Sequence, residues 1–297
     1  MINEGIYYDL SPNSKNKIQL TADVAIQEGI YTNLHSEDYH GDKNSISRSA
    51  LMDFKRNPRR YWAKHLNPDR PVEESKPSWE FGTAFHTLIL EPHLFESNYF
   101  ILPKKVLLKD VGRELYDEYK NKEKEAEGTA KTVLSLEDYE RLSAMRDSLY
   151  ANQRAKGLIE GAVYESSYFW KDEHTGLMVK SRPDILHSNI YVDLKTIDDA
   201  SPQNFQRNMV KGGYHIQSAM VKDAVKILEG RDLSACINVC VEKDYPHGIG
   251  ICIIDDTAIE AGHVEYRQTL LDLSASLRDN SFSDYEVQTV GLPKWYK

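Results

Sequence analysis

The sequence predicts an α/β fold, a mixed central β-sheet flanked by helices, with helical elaborations toward the N-terminus. Three observations carry this. Three strand-like segments follow one another between residues 163 and 196, a firm helical pattern follows over 214–228, and two more strands lead into a long helix from about 257 to 277. The order helix, three-strand meander, helix, strand pair, helix gives an α/β arrangement with a mixed sheet. At 297 residues one large domain is expected over 29–297, mostly helical over 45–152 and sheet-bearing over 160–280, behind an N-terminal arm of residues 1–28.

Element by element, Gly29-Ile30-Tyr31 ends the patternless arm. Ser47 is a good N-cap for a helix whose apolar stripe includes Leu51 and Phe54. Asn57-Pro58 interrupts it, and Pro58 is placed to open a second short helix bearing Tyr61 and Trp62. Residues 79–90 read as a buried helix on which Gly82 and His86, four apart, share a face where glycine permits close backbone approach. The charge-rich stretch 110–127 is an exposed helix or arm, and Ser135-Leu136-Glu137-Asp138 resembles a capping box before a helix ending near Asn152. Val163–Trp170, Leu177–Asp184 and Ile190–Thr196 are the three strands, the last two joined by a turn at residues 185–189. Ser201-Pro202 opens a helical stretch, and Ala235–Val241 and Gly248–Ile254 are the later strands.

Composition excludes several classes. No apolar run approaches a membrane span, and Met1-Ile2-Asn3-Glu4 lacks a signal-peptide core. Three cysteines, Cys236, Cys240 and Cys252, form neither a disulfide framework nor a four-cysteine iron–sulfur site. A reducing cytoplasm and no membrane association are therefore expected. The formal charge of −9 is unfavourable for phosphate binding as a whole. Against that background, Arg48, Lys55, Arg56, Arg59, Arg60 and Lys64 form the densest basic cluster, a candidate DNA contact. No P-loop, G-x-G-x-x-G or G-x-S-x-G is present, which removes support for nucleotide hydrolysis and serine-esterase chemistry.

The chemistry concentrates in Arg182-Pro183-Asp184 and, nine residues on, Asp193-Leu194-Lys195. Side chains alternate along a strand, so Asp193 and Lys195 share a face. If the two segments are neighbouring strands, two carboxylates and an ammonium meet at one point. Mg²⁺ takes carboxylate and carbonyl oxygens and keeps several waters, so Asp184, Asp193 and the Leu194 carbonyl make a sufficient donor set. Lys195 then steadies the attacking water or the developing charge.

Residues 182–195 resemble the second and third motifs of the PD-(D/E)xK nuclease superfamily. Gly82-Thr83-Ala84-Phe85-His86 is similar to the G-T-x-x-H helix of its RecB-like branch, as are Ser45–Leu51 and Asn57-Pro58-x-x-Tyr61-Trp62 to that branch's opening. Glu37-Asp38-Tyr39-His40, Glu91-Pro92, Asp193-Leu194-Lys195-Thr196, Tyr214-His215-Ile216-Gln217 and the tail Leu292-Pro293-x-x-Tyr296 extend the likeness to the RecE (exonuclease VIII) type. This resemblance implies His86, Asp184 and Asp193 as metal ligands, Lys195 as the catalytic lysine and Gln217 as the glutamine opening the fourth motif. That motif ordinarily continues to a tyrosine where this chain has Val221, and Tyr214, about one turn earlier, is the candidate substitute. Glu165, on the first strand, stands where related nucleases carry another acid; an ordinary surface glutamate is the equal alternative.

The resemblance further implies a Mg²⁺-dependent exonuclease, with Mn²⁺ able to substitute. It would act on double-stranded DNA ends, degrading one strand 5′ to 3′ and leaving 3′ single-stranded tails for recombination. A homo-oligomeric ring, tetramer or trimer, and a RecT-type single-strand annealing protein are the implied partners. A different single-strand or structure-specific nuclease, and a catalytically silent DNA-binding or assembly module, stay open as alternatives.

Overall fold

A polyproline-restricted residue and a left-handed one decide how the sheets divide. Glu165 has φ of +49°, and Pro183 carries no N–H to donate to a ladder. The strand expected at 163–170 therefore breaks into β6 and β7, which serve different sheets, and the one expected at 177–184 ends at Ser181, the chain entering the other sheet only at Ile185.

In this computed structural model residues 7–9, 26–71 and 77–292 are described. The rest of the expected N-terminal arm and the tail beyond Leu292 lie outside the described residues. In chain order the elements are β1 (Tyr7–Asp9), β2 (Gly29–Thr32), α1 (Ser36–Gly41), β3 (Ser45–Ile46), α2 (Arg48–Arg56) and α3 (Pro58–Tyr61), which runs into a π-helical turn (Trp62–Leu66). Then come α4 (Pro77–Leu90), α5 (Pro92–Asn98), β4 (Tyr99–Leu102), α6 (Leu108–Val111), α7 (Arg113–Glu127), β5 (Thr132–Ser135), α8 (Leu136–Ala151) and α9 (Gln153–Ile159). The remainder is β6 (Val163–Tyr164), β7 (Ser167–Lys171), β8 (Met178–Ser181), β9 (Ile185–Leu186), β10 (Ile190–Ile197), α10 (Pro202–Gly212), α11 (Tyr214–Glu229), β11 (Ala235–Glu242), β12 (Ile249–Ile254) and α12 (Asp256–Arg278).

One sheet has the order β1-β2-β7-β8-β3, a second the order β12-β11-β10-β9-β6, and β4 and β5 pair by themselves. The expected meander is thus realised as β6, β9 and β10 in the second sheet, with β7 and β8 as a hairpin in the first. Ile185-Leu186, read as part of a turn, is the short strand β9; the turn proper closes with His187 N–H donating to Ile190 O at 3.0 Å. Tyr7–Asp9, inside the expected arm, pairs in parallel with β2.

Strand β10 pairs in parallel with β11 from Ile190↔Ala235 to Ile197↔Glu242, and β11 pairs antiparallel with β12. Each face of β10 is covered. Val192 and Leu194 pack with Phe85 and Ala84 of α4 and Leu142 and Leu149 of α8, all fully buried. Tyr191 lies in the other layer with Ile216, Met220 and Val225 of α11. Burying each such aliphatic or aromatic side chain contributes roughly 1.5–3 kcal/mol, so β10 is pinned from both sides. Side-chain caps fix the starts of α2, α3 and α10. Ser47 Oγ accepts from Ala50 N at 3.3 Å, Asn57 Oδ1 from Arg60 N at 2.9 Å with Pro58 at N1, and Ser201 Oγ from Asn204 N at 3.4 Å. Helices α11 and α12 approach closely at Gly262, where a Cβ would sit 2.4 Å from the His215 carbonyl oxygen.

Candidate active site

The backbone turn at Arg182-Pro183-Asp184 delivers a carboxylate to the middle of β10. Asp184 Oδ2 accepts from the Leu194 N–H at 2.8 Å and lies 3.2 Å from His86 Nε2. The same His86 nitrogen is 2.7 Å from the Leu194 carbonyl oxygen, while His86 Nδ1 lies 2.9 Å from the Gly82 carbonyl one turn back. A Cβ on Gly82 would meet only Thr196 Oγ1, at 3.5 Å, an ordinary contact. Gly82 therefore serves here through its carbonyl rather than through missing bulk.

Burial opposes charge on both partners of this pair, and their mutual attraction overcomes it. Burial alone would raise Asp184; the hydrogen bond and charge of His86, then Lys195 and the Leu194 N–H, hold it below the usual carboxylate range. Burial would lower His86, yet Asp184 pushes the imidazole up to about 9.

Asp193 faces the opposite layer and is 2 % exposed. Its Oδ1 accepts from Tyr191 Oη–H at 2.8 Å and Gln217 Nε2 at 2.9 Å; its Oδ2 accepts from Asn238 Nδ2 at 2.7 Å and Lys195 Nζ at 2.6 Å. Gln217 Nε2 also donates to Tyr191 Oη at 2.9 Å, whereas Gln217 Oε1 is buried with no partner among the described residues. Burial works against the Lys195 ammonium, but Asp193 and then Asp184 keep its pKa above the ordinary lysine value. The Lys195 ammonium lies 5.2 Å from the centre of the Tyr214 ring. Tyr214 can lie there because Gly212 has no side chain; a Cβ would be 2.5 Å from Tyr214 Cε1.

Glu165 sits at the break between β6 and β7 and is ion-paired with Arg182 at 2.8 Å. Burial, then the charge of Asp184, push its carboxyl up to about 8 against the pull of Arg182. Arg182 also donates from Nε to the Glu165 carbonyl at 2.9 Å and from Nη2 to the Leu34 carbonyl at 2.9 Å. It thus ties the wall of the cleft to the Pro-Asp turn.

A cleft of about 2210 Å³ opens over this ground, lined by Arg48, His86, Glu91, Glu165, Asp184 and Gln217 among others. The basic cluster divides. Arg48 lines the cleft and donates to the Gly212 carbonyl, and Lys64 lines it too. Lys55 pairs with Glu265, Arg60 with Asp53 at 2.7 Å, Arg59 stacks on Trp62 at 4.6 Å, and Arg56 is exposed; none of these four is in the cleft lining. Val221, where the motif's tyrosine is ordinarily found, is fully buried in the core. Tyr191 and Asn238 were not singled out by the sequence. Tyr191 had a signal, standing two residues before Asp193 and so on its face of the strand. Asn238 had none: it meets Asp193 only through the β10–β11 register.

The donor set suits a hard divalent cation. Among the described residues no three His, Cys, Asp or Glu side chains converge, so the candidate centre is two side chains and one main-chain carbonyl, with Asp193 beyond. The His86–Leu194 and His86–Asp184 separations of 2.7 and 3.2 Å bracket the ~3.0 Å between adjacent corners of an octahedron with bonds of about 2.1 Å. Carboxylate and carbonyl oxygens favour Mg²⁺, and one imidazole also accommodates Mn²⁺.

A mixed sheet between helices, with Asp184 and the helix-borne His86 opening on one cleft and an Asp-x-Lys strand beside them, is the PD-(D/E)xK nuclease fold. The chain belongs to the family described as a PDDEXK-like domain of unknown function (DUF3799), whose model matches residues 47–287. Among solved structures it is similar to a crystal structure at 2.19 Å resolution described as a "putative exonuclease" from Eubacterium rectale. The two superpose with a TM-score of 0.57 over 86 % of this chain and 97 % of that one, at 17 % identity. Comparison with curated proteins gives no match. The family and fold support a nuclease; identity this low carries the fold and leaves the neighbour's activity to that protein. No described helix is long and apolar enough to cross a membrane.

Proposed function

We propose that the protein is a divalent-metal-dependent deoxyribonuclease that digests linear duplex DNA from its ends. The observation that carries this is the meeting, at His86 Nε2, of the Asp184 carboxylate at 3.2 Å and the Leu194 carbonyl at 2.7 Å, one residue along the strand from Lys195. His86, Asp184 and the Leu194 carbonyl, joined by Asp193, would hold Mg²⁺ or, in its place, Mn²⁺. When bound, the cation supplies Lewis-acid polarisation of the scissile phosphate and lowers the pKa of water. Lys195, kept protonated by Asp193 and Asp184, stabilises negative charge developing on the phosphate. Gln217 holds the Asp193 carboxylate through its Nε2 donor. Arg48 and Lys64 supply phosphate contact from the cleft wall within an otherwise acidic chain.

The resemblance to RecE-type nucleases supports digestion from 5′ to 3′, a ring-shaped homo-oligomer of three or four copies, and delivery of 3′ tails to a RecT-type annealing protein. The test uses linear duplex labelled at either end, nicked circles and closed circles, with Mg²⁺ or Mn²⁺. Early release of the 5′ label from linear DNA alone, abolished in Asp184→Asn and Asp193→Asn, is expected. Digestion of closed circles would make the protein an endonuclease. DNA binding with no digestion in either metal would leave only a binding module.

A further inference from the structure

We infer that Asn238 and Tyr191 are positioning residues that set the orientation of the Asp193 carboxylate and, through it, of Lys195. The inference rests on the nuclease reading and concerns residues outside its motifs. A carboxylate has about four lone-pair positions, and Asp193 fills them with Tyr191, Gln217, Asn238 and Lys195 at 2.6–2.9 Å. For Asp193 to turn an oxygen toward a cation, one donor must leave. Asn238 is 2 % and Tyr191 1 % exposed, whereas the Lys195 side chain is 20 % exposed and carries the longest stem. Lys195 on Oδ2 and the partly exposed Gln217 on Oδ1 are the donors free to move.

The two buried donors divide the carboxylate between them. Tyr191 holds Oδ1 from the same strand, and Asn238 holds Oδ2 from the adjacent one, where the two residues are register partners. With both in place the carboxylate plane is fixed, and the only exchangeable position on Oδ2 is the one Lys195 occupies. Without the Asn238 amide, Oδ2 is bound by Lys195 alone. The carboxylate then follows the lysine, and both lose their fixed relation to Asp184. Orientation of ligands by such partners ordinarily accounts for about 10–100-fold in metal affinity or activity.

The experiment compares wild type with Asn238→Leu, Tyr191→Phe, Asp193→Asn and Cys252→Ser. Cys252 is the register partner of Asn238 on the next strand and takes no part in the cluster. Mn²⁺ affinity is measured by calorimetry, duplex affinity by fluorescence anisotropy with Ca²⁺, and cleavage by single turnover with Mg²⁺. Asn238→Leu is expected to weaken Mn²⁺ binding and slow cleavage by about 10–100-fold, with unchanged duplex affinity. Tyr191→Phe, which deletes one oxygen and guards against a folding defect in the leucine variant, shifts both in the same direction. Cys252→Ser is unchanged. A wild-type protein that binds Mn²⁺ and cleaves, with Asn238→Leu and Tyr191→Phe equal to it, overturns the positioning role alone. Loss of duplex affinity in step with cleavage also overturns it, because that marks general disruption. A wild-type protein inert with both metals overturns the nuclease reading and the positioning role together.

Discussion

Replacing His86 with asparagine removes the histidine's share of the pH dependence of metal binding. In the metal-free protein, burial disfavours the imidazolium, yet Asp184 holds the proton on and pushes the pKa to about 9. A metal-ligating histidine is neutral, so each cation bound near neutrality displaces a proton. Two pH units separate 7 from 9; at ~1.4 kcal/mol per unit the displacement costs roughly 2.7 kcal/mol, or about 100-fold in apparent affinity at pH 7. Affinity of the wild type therefore rises about tenfold per unit above pH 7 and levels off near 9. For the metal-free fold the sign is opposite. A raised pKa contributes stability that is fully present below the ordinary histidine value of 6.5 and is lost as pH rises through about 9. Calorimetric titration with Mg²⁺ in two buffers of different ionisation heat counts the protons released. About one proton more is expected at pH 7 for the wild type than for His86→Asn, in which Glu165, at about 8, is the group beside Asp184 that still titrates. Equal wild-type affinity at pH 7 and 8.5, or binding without proton release, refutes a place for His86 in the donor set.

Lys195→Ala is expected to slow single-turnover cleavage by about 10²–10³-fold. It should not weaken Mg²⁺ binding, since it removes a cation beside Asp184; a parallel loss of both would assign Lys195 to the metal rather than to the phosphate. Val221→Tyr, which restores the motif's usual tyrosine, places an aromatic ring at a fully buried position and should cost about 1–3 kcal/mol in urea unfolding without raising activity. Gly262→Ala sets a Cβ 2.4 Å from the His215 carbonyl. It should lower stability by about 1–3 kcal/mol with cleavage per folded molecule unchanged.

What could be read from the sequence was what is local. The Asp193-Leu194-Lys195 alternation, the helix-borne pair Gly82 and His86, and the caps at Ser47, Asn57 and Ser201 each depend on residues within a few positions, and the structure carries each. The break within Val163–Trp170 was illegible because its composition is strand-like throughout; the left-handed backbone at Glu165 and the Arg182 guanidinium that satisfies its carbonyl reveal it. The end of the next strand had a signal in Pro183, which cannot donate to a ladder. The basic cluster was legible as composition but not as direction. Whether Lys55 meets DNA or Glu265 is decided by how α2 packs on α12, 210 residues away. Asn238 was invisible for the same reason: its role exists only once β10 and β11 are in register.

That register has a consequence for the order in which the chain is made. Asn238 follows Asp193 by 45 residues, which at a synthesis rate of ~5–20 residues per second is a delay of roughly 2–9 s. Parallel pairing across a helical crossover is also slow to form. A nascent chain thus displays the Asp-Leu-Lys segment for seconds before the amide that fixes its carboxylate has left the ribosome. The four-donor arrangement around Asp193 therefore exists only once β11 has paired with β10.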